Sequence, residues 1–230
     1  MIARITPALL RGTIPAIASK SDAHRLLILA ALSQGETRLI MEQRSEDIDA
    51  TIGCLRALGA AIEILPDGVL VCGIEHPNEN PLLDCGESGS TFRFLLPVAA
   101  ALCEHARFTG GGRLPERPIG ELLRVMQEHN VAFSNERLPF ATAGRLTGGG
   151  FALPGNVSSQ YLTGLLLALP TIRSDSTITL TTHLESAGYV DISLHALKRF
   201  GVEVRVQDGV YAVTGGPASL SPGKPPVDGG

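Results

Sequence analysis

Four cations stand where helices begin: Lys20 and Arg25 in "SKSDAHRLLILAAL", Arg93 in "GESGSTFRFL" and Arg117 in "RLPERPIGEL". A helix N-terminus holds a partial positive charge, so a cation there loses about 0.3–1 kcal/mol and acids are the favoured occupants. One such residue is an ordinary solvated side chain. Four of them, on heads related by a repeat, point to a shared anion site. Free N–H groups and the dipole already attract an anion there, and Lys and Arg add charge-assisted, bidentate contacts to phosphate or carboxylate. Ser21, Gly89, Ser90, Ser158, Ser159 and Gln160 lie on the same heads, and Ser186 and Tyr189 flank the start of "VDISLHAL". Singly, a serine at a helix start is an N-cap; beside these cations it becomes a candidate ligand. The predicted ligand is a small, multiply charged molecule in an enclosed, concave site.

A threefold repeat positions these heads. "KSDAHRLLILAAL", "GSTFRFLLPVAAALC" and "SSQYLTGLLLALP" each read as an apolar helix with a polar head. A second, amphipathic helix follows each: "SEDIDATIGCLRALGA", "RPIGELLRVMQEHN" and "YVDISLHALKRFG". A strand pair closes each unit, with "PDG" and "QDG" as hairpin signals in the first and third. Ser21, Ser90 and Ser159 fall at a constant interval, 90 − 21 and 159 − 90 both giving 69. Apolar on all sides, the first helices belong inside. Alternation of Val202, Val204 and Val206 with Glu203 and Arg205 gives the outer sheets one wet face. Pro97 falls within the second apolar helix. The expected fold is α/β (α+β) of inverted layering: three copies of a small α/β module about a pseudo-threefold axis, with buried parallel helices. Units are placed at about 13–75, 81–144 and 151–215, making one domain over 13–215. The Gly- and Pro-rich residues 216–230 read as a linker or chain end.

Composition narrows the function. A net charge of −4 over 230 residues argues against nucleic-acid binding, so an anion site must be built locally. Cys54, Cys72, Cys85 and Cys103 include no C-x-x-C pair and read as reduced thiols, without metal. The longest apolar run, Phe94 to Cys103, is too short for a bilayer. The expectation is a cytoplasmic protein with no membrane contact. "GESGS" and "TGGGRLPERP" miss the nucleophile-elbow and phosphate-loop spacings.

"KSDAHR", "GESGSTFRFL", "RLPERPIGEL", "GNVSSQYLTGLLLALP" and "YVDISL", in this order over roughly residues 12–215, resemble the N-terminal half of the EPSP synthase family, the 3-phosphoshikimate 1-carboxyvinyltransferases. The resemblance implies two domains, each of three βαβαββ units. It implies transfer of the enolpyruvyl group of phosphoenolpyruvate to the 5-hydroxyl of shikimate 3-phosphate, without metal or organic cofactor. Shikimate 3-phosphate would then be held by Lys20, Ser21, Arg25, Ser158, Ser159, Gln160, Ser186 and Tyr189. Phosphoenolpyruvate would be held by Lys20, Gly89, Arg117 and Gln160, with Ser90 and Arg93 in support. Lys20 is the one catalytic candidate in this half, because the family's proton acceptor lies in a second, C-terminal domain that no residue here matches. Residues 1–12 would supply a strand associated with that domain. Two family patterns are altered: Ala187-Gly188 stands where Lys-Pro is common after Ser186, and "ESGS" replaces "NAGT". Two other readings are a non-catalytic binder of a phosphorylated metabolite and a relative of UDP-N-acetylglucosamine enolpyruvyl transferase.

Overall fold

A computed structural model of the chain describes residues 11–12, 19–41 and 43–216. The expected strand segment at 1–12 and the tail from 216 therefore lie almost wholly outside the described residues. From the first unit come α1 (Lys20–Leu32), β1 (Glu36–Ile40), α2 (Glu46–Leu58), β2 (Ala61–Leu65) and β3 (Gly68–Cys72). The second contributes β4 (Leu82–Asp84), α3 (Gly89–Leu102), β5 (His105–Thr109), α4 (Gly120–Glu128), β6 (Ala132–Phe133) and β7 (Phe140–Ala143). The third contributes β8 (Gly150–Leu153), α5 (Ser159–Ala168), β9 (Ser176–Leu180), α6 (Ala187–Arg199), β10 (Val204–Gln207) and β11 (Val210–Val213).

Three separate sheets carry the repeat. Their orders are β1-β3-β2, β4-β5-β7-β6 and β8-β9-β11-β10. In the last two the opening strand pairs in parallel with the strand after the buried helix, and the other pairings are antiparallel. The first sheet repeats the later three places of that order. Strands such as β1 and β5 alternate exposed and buried residues, so each sheet has one wet face. Both hairpin signals are hairpins; Asp208 and Gly209 both take positive φ, which suits strand twist. Val206 departs from the expected alternation: on edge strand β10, beside that turn, it is 49% exposed.

The apolar helices form the centre, as their all-round hydrophobicity requires. Leu27 to Ala31, Leu95, Leu96 and Leu165 to Leu169 have essentially no exposed surface and belong to one continuous core. Positions Arg25, Phe94 and Thr163 are separated by 69 (94 − 25) and 69 (163 − 94) residues, and they meet: the Arg25 guanidinium lies 4.9 Å from the Phe94 ring centroid and 3.4 Å from Thr163 Oγ1. Equivalent positions of three units thus converge on one axis, near the N-terminal ends of the helices.

The packing about that axis is uneven. α1 is flanked by α2 and α6, whereas α3 and α5 touch directly. Pro97 removes the amide that would bond the Arg93 carbonyl, and the helix continues through it. Gly164 of α5 packs against that same carbonyl; a Cβ there would overlap the Arg93 oxygen and press on Pro97 Cγ.

Candidate functional site

Serines cap three buried helices, ahead of the expected Ser21, Ser90 and Ser159 in each case. Ser19, Ser88 and Ser158 are the N-caps, accepting from the backbone N–H of Asp22, Thr91 and Gln160 at 3.3, 3.2 and 3.3 Å. Ser21 and Ser90 therefore sit inside the first turn, and Ser159 opens its helix. Ser186 precedes α6 with a left-handed backbone (φ 61°) and makes no side-chain cap bond. Arg117 is not at a helix start, contrary to the sequence reading. Leu114–Glu116 forms a 3-10 turn that Arg117 closes, and α4 begins only at Gly120. The reason lies in Pro118, whose carbonyl accepts from Arg93 Nη2 (3.1 Å) and Tyr161 Oη (2.7 Å) instead of from a helical amide.

That pinned carbonyl aims the preceding residue. Arg117 reaches the head of α3, where a Cβ on Gly89 would lie 2.7 Å from Arg117 Nη1 and 3.2 Å from Arg93 Nη1. Gln160, from the head of α5, closes the group: its Oε1 accepts from Arg93 Nη1 at 2.6 Å and its Nε2 donates to Ser90 Oγ at 2.9 Å. Burial, with the charge of Arg117 beside it, lowers the Arg93 pKa. The Arg117 guanidinium makes no hydrogen bond or ion pair among the described residues, and its Nη1 takes the space that a side chain at the buried Gly89 would fill. Two guanidiniums and a glutamine amide gather at the head of α3, an arrangement of donors able to hold an anion.

The second cluster surrounds Arg25, which is 2% exposed. Nε donates to Ser193 Oγ (2.7 Å), Nη1 to the Ser21 carbonyl (2.5 Å), and Nη2 to Thr163 Oγ1 (3.4 Å) and the Tyr189 carbonyl (2.9 Å). Burial pulls its pKa down to about 10, still cationic at neutral pH. Arg25 thereby ties the head of α1 to that of α6, where Tyr189 stands 51% exposed beside Ser186. Lys20 is exposed at the α1 head and ion-pairs with Asp47 Oδ2 of α2 at 2.7 Å.

The structure thus joins Gly89, Ser90, Arg93, Arg117 and Gln160 in one cluster, and Ser21, Arg25 and Tyr189 in another. Lys20 lies apart, on Asp47. Ser158 and Ser159 share the α5 head with Gln160. The face is open rather than enclosed, with Lys20, Arg117 and Tyr189 exposed. Sequence reasoning missed Asp47, Tyr161, Thr163 and Ser193. Only Thr163 gave a signal, a hydroxyl inside an apolar helix. Among the described residues no three His, Cys, Asp or Glu side chains gather as metal ligands, the four cysteines are free, and no helix is long and apolar enough to cross a membrane.

Comparison with known proteins decides the lineage. The profile of EPSP synthase (3-phosphoshikimate 1-carboxyvinyltransferase) matches residues 5–227. The chain belongs to the EPSP synthase family. Proteins named 3-phosphoshikimate 1-carboxyvinyltransferase from Clostridium perfringens and Clostridium beijerinckii are 40% and 41% identical over 205 and 211 residues, covering 87% of this chain and 48% of theirs. The chain spans about half the length of the curated relatives it matches. An EPSP synthase structure from Acinetobacter baumannii superposes with a TM-score of 0.77 at 23% identity, over 92% of this chain and 48% of that one. The enolpyruvyl transferase NikO of Streptomyces tendae gives 0.66 at 18% identity, over 93% and 50%. These two likenesses support the inverted α/β fold expected of the family.

Proposed function

We propose that this chain is the shikimate-3-phosphate-binding half of a 3-phosphoshikimate 1-carboxyvinyltransferase. The complete enzyme moves the enolpyruvyl group of phosphoenolpyruvate onto the 5-hydroxyl of shikimate 3-phosphate and releases phosphate. The observation that carries this reading is the convergence of Arg93, Arg117 and Gln160 over Gly89, a cradle for a phosphate or carboxylate in which neither guanidinium is ion-paired among the described residues. Gly89, Arg117, Gln160 and Lys20 take phosphoenolpyruvate, with Ser90 and Arg93 holding Gln160. Ser158, Ser159, Gln160, Ser21, Arg25, Ser186, Tyr189 and Lys20 take shikimate 3-phosphate.

Adding a proton to the methylene and removing one from the hydroxyl require positioned acid and base groups, and no such pair occurs among the head residues. A complementary C-terminal domain is therefore the expected partner, in the cytoplasm, and domain closure over the open face completes the site. Lys20 exchanges Asp47 for substrate oxygens when ligand arrives.

Titration calorimetry of the chain with shikimate 3-phosphate, with unphosphorylated shikimate and with Lys20→Ala tests the reading. Saturable binding that requires the phosphate and weakens in the variant supports it. Equal binding of shikimate with and without phosphate overturns it. Turnover on adding a separately produced second domain excludes the purely non-catalytic binder.

A further inference from the structure

His24, next to Arg25 on α1, faces the other way, into the seam between α2 and α3. Its ring is 1% exposed and stands edge-on to Phe94, with centroids 6.2 Å apart and planes at 89°. Nδ1 lies 2.8 Å from Thr51 Oγ1, and Thr51 Oγ1 lies 2.7 Å from Thr91 Oγ1. Both hydroxyls also face the Asp47 carbonyl, at 3.2 and 3.1 Å. Thr91 Oγ1 then meets Ser88 Oγ at 2.7 Å, and Ser88 is the cap of α3. Four side chains thus link the interior of α1 to the residue immediately before Gly89.

We propose that His24 is a positioning residue: through Thr51 and Thr91 it fixes Ser88 and Asp47, and so sets the α3 head, with Gly89, against the α1 head, with Lys20. The proposal rests on the reading of Gly89 and Lys20 as ligand-binding residues. Nε2 has no partner among the described residues, so we assign the proton to Nδ1, where it donates to Thr51. Thr51 then donates its one hydrogen to Thr91 Oγ1 or to the Asp47 carbonyl, and Thr91 its one hydrogen to the Asp47 carbonyl or to Ser88 Oγ, leaving a bare nitrogen rather than an orphan N–H in the core. Asp47 serves both ends: its carbonyl anchors the two threonines, and its carboxylate holds Lys20 at 2.7 Å. Charged neighbours of the ring are Asp47 from α2 with Lys20 and Arg25 from α1; α3 presents the neutral Phe94. Burial keeps the ring uncharged at neutral pH, so its role is to orient hydroxyls.

The test combines amide NMR of the full chain with shikimate 3-phosphate titration. His24→Leu fills the ring's space without a hydrogen bond, Thr51→Val cuts the same link from α2, and His24→Asn restores a donor near the Nδ1 position. Displaced Gly89 and Thr91 amides in the Leu and Val variants, with affinity weakened about tenfold and both restored by Asn, are expected. Unmoved Gly89 and Thr91 amides in a folded His24→Leu or Thr51→Val protein would overturn the assignment. Should His24→Leu not fold, Thr51→Val gives the same decision. Absence of binding by the unaltered chain counts against the proposed function alone, because the amide readout needs no ligand.

Discussion

Arg25 and His24 are consecutive residues of α1, both nearly without exposed surface, and they solve opposite problems. Arg25 enters the α5–α6 seam as a cation and finds two hydroxyls, two carbonyls and an aromatic face. His24 enters the α2–α3 seam, finds one hydroxyl, and gives up its charge, with burial lowering its pKa to about 4. A guanidinium keeps its proton despite desolvation and must be surrounded by acceptors; an imidazole can shed it. One seam is therefore fixed by a charge, the other by oriented neutral hydroxyls.

Removing the charge should have the largest effect. Arg25→Ala leaves a cavity and deprives the Ser21 and Tyr189 carbonyls of a donor, while Thr163 and Ser193 keep each other at 2.8 Å. The expected loss is about 3–4 kcal/mol in urea unfolding, with Tyr189 released from the α1 head. A loss below about 1 kcal/mol would mean that the seam behaves like a surface network.

Acid should act on the other seam. The folded pKa of His24 lies below its unfolded value, so the unfolded chain binds the extra proton in the window from pH 6.5 down to about 4. Stability is complete above that window and falls as pH drops through it, by about 2 kcal/mol between pH 7 and 5. The His24→Asn chain should lose about that much less over the same interval. Parallel stability curves for the two chains would show that the ring is not held neutral.

Much of this scaffold was legible because it rests on local rules. The 69-residue interval, the all-apolar helices and the hairpin turns each follow from periodicity and turn chemistry. The seams were not legible. Arg25 and Ser193 lie 168 positions apart, and no pattern within "SDAHRLL" indicates which of two adjacent polar residues faces which neighbour. Arg117 was misplaced for a related reason: proline at a helix start is a local rule, overridden here by side chains of α3 and α5 that occupy the Pro118 carbonyl. Local sequence specified the heads, and distant contacts set their angles.

Phe94 is where the seams meet, and it offers the finest division between them. Its ring stands perpendicular to that of His24 and presents a face to Arg25, from the position of α3 that the repeat equates with Arg25 itself. Phe94→Leu keeps most of the apolar volume and removes both ring interactions, for an expected loss of about 1–2 kcal/mol. If the cation–π contact is the larger part, the substitution should cost about half as much in an Arg25→Ala background and nearly its full amount in a His24→Asn background. The reverse order would assign Phe94 to the neutral seam, and simple additivity in both backgrounds would reduce it to filler between them. The unequal contacts of one ring make the first outcome the expected one, because a buried cation over an aromatic face gains more than a neutral imidazole in a perpendicular ring pair.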